Sequence, residues 1–174
     1  ILRLKKNLRL IDSSNLRFKE LFKFNSMDNF TLIQSEDNKS FSRKNFEIVS
    51  KKKPNKSQFE NLIFAFNMCR YVKSNAIVIA SNKSTVGIGS GQPSRLDSCE
   101  SAINKMNKFI NPKNEIVAAS DAFFPFTDGI EKLVQSGINA VIQPAGSIRD
   151  KEIIKFANAT GTILVFSKTR HFNH

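Results

Sequence analysis

Five short apolar runs constrain this chain more than any other feature: Ala76–Ala80, Val86–Ile88, Ile116–Ala119, Ala140–Ile142 and Ile163–Phe166. Each is too brief for a helix and is bounded by turn-forming residues, so each reads as a strand. Segments of helical period stand between them. In the first, Leu62, Phe66, Cys69 and Val72 recur three or four residues apart, the stripe that a helix buries. Four capping boxes mark expected helix starts: Ser57 with Glu60, Ser94 with Asp97, Asp128 with Glu131 and Ser147 with Asp150. Gly137 and Gly161 fall where helices should end. From Ser57 the order is helix, hairpin, helix, strand, helix, strand, helix, strand, tail. That alternation predicts an α/β fold, with crossover helices on a mostly parallel sheet.

The first third reads differently. Residues 1–55 are an irregular, β-containing connecting segment, in which Leu8-Arg9-Leu10-Ile11 and Phe30-Thr31-Leu32-Ile33 are expected strands. Residues 56–174 form the α/β unit. The 174 residues carry a net charge of +12, and the basic excess is densest at Lys51-Lys52-Lys53. No aromatic residues interleave with that run to stack bases, and no finger, RNP or KH signature is present. Nucleic-acid binding is therefore not favoured over a solvated basic face or attraction for an anionic small ligand. No run reaches the roughly 18 apolar residues of a membrane span. Two cysteines, Cys69 and Cys99, make neither a disulfide framework nor a metal site. No secretory leader is evident, so a cytoplasmic location is expected. The chain opens on Ile1-Leu2-Arg3 without an initiator Met and is expected to belong to something larger.

If the strands ending near Ile88, Ala119, Ile142 and Phe166 point the same way, the segments that follow them emerge on one edge of the sheet. Open α/β sheets take their ligands at that edge. The four segments run from Gly89 to Arg95, from Ser120 to Asp128, from Gln143 to Asp150 and from Lys168 to His174. Single signals within them are weak. The glycines Gly87, Gly89 and Gly91 suit either an anion cradle or a tight turn. Arg95 stands in a first helical turn, against the macrodipole, and so calls for a carboxylate or phosphate partner. Phe123, Phe124 and Phe126 surround Pro125 where a loop is expected, and at least one of them should be core. The only two histidines, His171 and His174, lie in the tail, which is expected to dock rather than fray.

Read together, the motifs are specific. Lys73-Ser74-Asn75-Ala76-Ile77-Val78, Val86-Gly87-Ile88-Gly89-Ser90-Gly91-Gln92-Pro93-Ser94-Arg95, Ser120-Asp121-Ala122-Phe123-Phe124-Pro125-Phe126, Gly146-Ser147-Ile148-Arg149-Asp150 and Arg170-His171-Phe172-Asn173-His174 follow in that order. In this the chain resembles the bifunctional purine-biosynthesis family, in which AICAR transformylase is fused to IMP cyclohydrolase.

The resemblance implies a cytidine-deaminase-like layered α/β half-domain without zinc, the second half of the transformylase domain, working as a homodimer. The family moves a formyl group from 10-formyltetrahydrofolate to the 5-amino group of AICAR, and closes the purine ring elsewhere. By motif, Asn75, Phe123 and Arg170 fall on positions that hold AICAR. Arg95, Asp128, Ser147 and Ile148 fall on positions that line the folate site. His174 matches a terminal histidine near the catalytic centre. A monovalent cation near Ser74 and the tail is left open. The family's Lys-His catalytic pair belongs to the other half and is not found in this chain, so the chain alone is expected to be inactive. The competing readings are a non-catalytic nucleotide- or folate-binding module and a basic nucleic-acid-binding protein.

Overall fold

The computed structural model describes residues 9, 11–12, 14–15, 22–108 and 115–174. The chain divides into two compact units, Ile1–Glu36 and Asp37–His174. In the first, β1 (Phe22–Met27) and β2 (Phe30–Ser35) pair antiparallel across the Asp28-Asn29 turn. The expected strand at Phe30–Ile33 lies in β2. Leu8 and Leu10 of the other expected strand lie outside the described residues, and Arg9 and Ile11 are not in a strand.

The second unit contains β3 (Phe46–Ile48), α1 (Lys56–Cys69), β4 (Ile77–Ser81), β5 (Ser84–Gly89), α2 (Arg95–Met106), β6 (Val117–Ser120), α3 (Asp128–Gln135), β7 (Ala140–Pro144), α4 (Asp150–Thr160) and β8 (Ile163–Ser167). Its sheet has the order β3-β8-β7-β6-β4-β5. The pairs β6-β7 and β7-β8 are parallel. The pairs β3-β8, β4-β6 and β4-β5 are antiparallel. Because β4 reverses between them, β5 and β6 run the same way. Four of the six strands, β5 to β8, therefore share one direction, and their exits share one edge.

Side-chain alternation splits the core into two layers. Ile77, Ile79, Ala118, Val141 and Leu164 face α2, α3 and α4, while Val78, Ala80, Ala119, Ile142 and Val165 face α1 with Leu62, Phe66 and Cys69. Small residues let the layers close up. A Cβ added at Gly89 would meet the Ser98 carbonyl oxygen at 1.8 Å, so α2 lies directly on the β5 backbone. Gly87 and Gly89 thus serve close packing, and Gly91 takes a left-handed turn with φ of 66°. The N–H of Gly91 is already given to the Lys73 carbonyl at 2.9 Å, which does not favour the anion cradle.

Helix boundaries follow capping chemistry with some displacement. Ser94 caps α2, its hydroxyl accepting the Asp97 N–H at 3.1 Å. The start of α1 is two residues earlier than Ser57 suggests. Asn55 accepts the Gln58 N–H at 2.8 Å, and Gln58 Oε1 accepts the Asn55 N–H at 3.0 Å. Glu60 instead pairs with Lys83 at 2.8 Å. Neither Asp128 nor Ser147 caps its helix: Asp128 opens α3 from within, and α4 begins at Asp150. Gly161 closes α4 in the left-handed region, as expected.

Candidate functional site

Asp121, the residue after β6, organises the strand-exit edge. It is fully buried, and one carboxylate oxygen accepts from the Arg95 guanidinium. The other accepts the Ser74 hydroxyl at 2.6 Å. Arg95 reaches on to Ser120 Oγ at 2.9 Å and Asn75 Oδ1 at 3.0 Å. Asn75 is at this edge because β4 runs against its neighbours, so its entry lies beside their exits. Its Nδ2 donates to the carbonyls of Gln92 at 2.9 Å and Pro93 at 3.2 Å. The carboxylate that Arg95 required is thus supplied within the chain. Burying charge is costly unless it is paired and hydrogen-bonded, and this pair is both.

The tail docks onto the same centre. The His171 N–H donates to the Asp121 carbonyl at 3.0 Å, and the Ser74 N–H donates to the Asn173 carbonyl at 2.9 Å. Thr169 and His171 are buried, whereas Arg170 between them is exposed. Its guanidinium lies over the Phe123 ring, 4.9 Å from the centroid. A Cβ added at Gly146 would stand 3.3 Å from Arg170 Nη2, so the β7 exit loop borders the same guanidinium. Phe124 is the member of the aromatic knot that belongs to the core.

A second cation-aromatic pair joins neighbouring loops: Arg149 lies over the half-exposed Phe126 ring, 4.7 Å from its centroid. Asp128 is exposed, and its Oδ1 takes the Gly129 N–H at 2.7 Å. Ser147 accepts the Arg149 N–H at 3.1 Å, and the next side chain, Ile148, is fully exposed. The His174 ring rests beside Phe172 with centroids 5.5 Å apart. The edge therefore holds Asn75 with Arg95 and Arg170 with Phe123. Asp128, Ser147 and Ile148 stand along the Phe126 and Arg149 loops.

Sequence reasoning missed Asp121 as a site residue, although the signal was present. A carboxylate at a strand exit and a cation in an unfavourable helical turn are two halves of one pair. It also missed the side chain of His171, which is buried against Phe41 and Phe66 and donates from Nδ1 to Asp37. Burial pushes the His171 ring below its ordinary value, and Asp37 opposes that shift. The net direction leaves the ring neutral near pH 7. Its Nε2, an acceptor in the neutral Nδ1–H tautomer, has no hydrogen-bond partner among the described residues.

Burial pushes the thiol of Cys69 well up and that of Cys99 up to about 12, so neither is a nucleophile. Among the described residues, no group of three or more His, Cys, Asp or Glu is placed to hold a metal ion. None of the helices among those residues is long and apolar enough to cross a membrane. Cavities of about 540 and 400 Å³ open along the start of α1, one around Lys56, Glu60 and Lys83 and the other around Arg43, Asn55 and Phe59.

Fold and edge together define a layered α/β domain that gathers amide, guanidinium, aromatic and imidazole groups where such sheets take ligands. The profile of one family, the AICARFT/IMPCHase bienzyme, matches residues 1–105. The chain belongs to that family. It is 43% identical over 171 residues to the bifunctional purine biosynthesis protein PurH of Persephonella marina, a match covering 98% of this chain and 33% of that protein. PurH of Buchnera aphidicola subsp. Schizaphis graminum is also 43% identical, over all of this chain and 34% of its own length. PurH of Aquifex aeolicus gives 43% identity over 98% of this chain and 33% of itself. The chain thus spans about a third of the relatives it matches.

Proposed function

We propose that this chain supplies the nucleotide-binding edge of an AICAR formyltransferase in purine biosynthesis, with 10-formyltetrahydrofolate as co-substrate. The observation that carries the reading is the convergence of Asn75, Arg95, Asp121, Phe123 and Arg170 at one sheet edge. In this reading Arg170 offers a planar fork of donors to a phosphate or carboxamide oxygen, Phe123 stacks on the imidazole, and Asn75 reads a polar edge. Arg95 acts mainly by holding Asn75, because its own donors are engaged by Asp121 and Ser120. In this reading Asp128, Ser147 and Ile148 line the folate side. His174 closes the site as an auxiliary group. A monovalent cation would suit the oxygen-rich neighbourhood of Ser74, Asp121 and the tail.

Formyl transfer passes through a tetrahedral oxyanion. It needs a cation fixed at that oxygen and a base for the amine proton. At this edge the imidazole of His171 is buried away from the surface, and Arg95 is already paired. As the family resemblance implies, the catalytic pair comes in this reading from the remaining half of the transformylase domain, in a homodimer. The β1-β2 hairpin supports such a partner. Phe22, Phe24, Met27, Phe30 and Ile33 are each half exposed or more, an apolar surface of the kind that such a partner would cover.

The test mixes the pure chain with the two-thirds of a family protein that this chain does not match, AICAR and 10-formyltetrahydrofolate. The chain alone should give no 5-formamido product. The mixture should give product, and Arg170→Ala in this chain should abolish it. Turnover by the chain alone, or by the mixture regardless of Arg170, would overturn the reading.

A further inference from the structure

The tail that follows β8 folds back through two buried anchors with Arg170 exposed between them. On one side, Thr169 exchanges hydrogen bonds with Ser167 Oγ at 3.0 and 3.1 Å. On the other, the His171 ring enters an aromatic slot, 5.0 Å from the Phe41 centroid and 4.4 Å from that of Phe66. Its Nδ1 is bonded to Asp37. The stretch that supplies Asp37 and Phe41 is itself tied to the end of α1. Arg70 donates to the Asp37 and Lys39 carbonyls at 3.4 and 2.8 Å and lies over the Phe41 ring at 4.9 Å. The His171 backbone meanwhile meets the Asp121 carbonyl.

We propose that His171 is a positioning residue, clasped by Asp37, which holds the neighbouring Arg170 over Phe123 and so pre-forms the nucleotide contact. The physical reason is alternation. Burial alternates along the tail, with Thr169 and His171 buried and Arg170 exposed between them, so a ring locked inward at 171 keeps the adjoining guanidinium outward at 170. A chain end without such an anchor frays. The specificity lies in the hydrogen bond as well as the ring: hydrophobic burial alone is non-directional, whereas Nδ1 bonded to Asp37 sets the depth and rotation of the imidazole. Beyond Asp37, the charged groups that act on the ring are Arg70 and Asp121. This inference rests on the reading that Arg170 takes the nucleotide, but its anchoring half can be measured without any nucleotide.

The test compares the full chain with His171→Phe, Asp37→Ala and His171→Asn. Phenylalanine keeps a ring in the slot without the donor, and asparagine keeps a donor near the Nδ1 position. Three readouts are taken: the ¹⁵N signature of the His171 ring, exchange of the His171 and Ser74 amide protons, and calorimetric affinity for AICAR. The wild type should show the neutral Nδ1–H tautomer, and Asp37→Ala should lose it. Exchange should quicken in His171→Phe and Asp37→Ala. If the docked tail falls to about a tenth of the population, AICAR affinity falls about tenfold. His171→Asn should recover most of both effects. Unchanged exchange in His171→Phe, with the same AICAR affinity as wild type, would overturn the proposal. If wild type shows no AICAR binding while exchange responds as stated, the anchor stands and the nucleotide reading fails.

Discussion

Replacing Asp121 by alanine puts the organising pair to the test. The change leaves the Arg95 guanidinium, only 11% exposed, with Ser120 and Asn75 as its remaining acceptors. Breaking a buried ion pair from one side costs about 3–5 kcal/mol. The residual solvent at Arg95 and its two surviving bonds place this case near the lower end, about 3 kcal/mol. At roughly 2–4 °C per kcal/mol for a chain of this size, Tm should fall by about 6–12 °C. The converse change, Arg95→Met, strands a fully buried carboxylate with Ser74 as its remaining side-chain donor, and should cost at least as much. The double variant removes both charges together. Its cost should fall short of the sum by about 2 kcal/mol or more, a coupling within the range for residues in one network. Urea unfolding followed by circular dichroism measures all four corners of the cycle, and a constant m-value keeps the comparison valid. Additivity within about 0.5 kcal/mol would refute the claim that Asp121 and Arg95 act as one unit.

Three further outcomes follow from burial. Gly89→Ala drives a methyl into the Ser98 backbone and should destabilise by about 1–3 kcal/mol or more, read from the urea midpoint; a neutral result would mean that α2 does not lie on β5. Cys69 and Cys99 should resist a thiol reagent in the folded chain and react fully in denaturant, because both are buried with raised pKa values. Stability should fall as pH drops below about 6.5, since the unfolded chain gains a proton there while the folded His171 resists it; above that pH the contribution is complete. His171→Phe should flatten that slope, whereas a parallel slope would place the protonation elsewhere.

The element order from Ser57 onward could be read from the letters because local chemistry and burial agree there. Runs such as Ile77–Ala80 and Ile163–Phe166 are buried on both faces, so their brevity and apolar character speak for themselves. Helix starts were harder where two capping patterns overlap. Asn55/Gln58 and Ser57/Glu60 have the same spacing, and Pro54 next to Asn55 does not choose between them. The structure uses Asn55, and Glu60 pairs with Lys83 at the β4-β5 turn instead of closing a box on Ser57. The shared edge could be foreseen from strand direction, but the bonds within it could not. Asn75 meets Arg95 because β4 runs against both β5 and β6; the hairpin with β5 was legible, but the pairing of β4 with β6 and the side-chain bonds at its entry were not. The first third concealed Asp37 and Phe41 for the same reason. Their partners, His171 and Phe66, stand far away in the chain, and long-range pairing leaves no local period.

An amide-resolved NMR titration of the isotopically labelled chain with AICAR shows most directly where the ligand sits. The account predicts shifts concentrated at Ser74–Asn75, Ala122–Phe123, Gly146 and Thr169–His171, with Lys56, Glu60 and Lys83 at the start of α1 and the β4-β5 turn unmoved. Shifts centred there, or spread evenly over the surface, would contradict it.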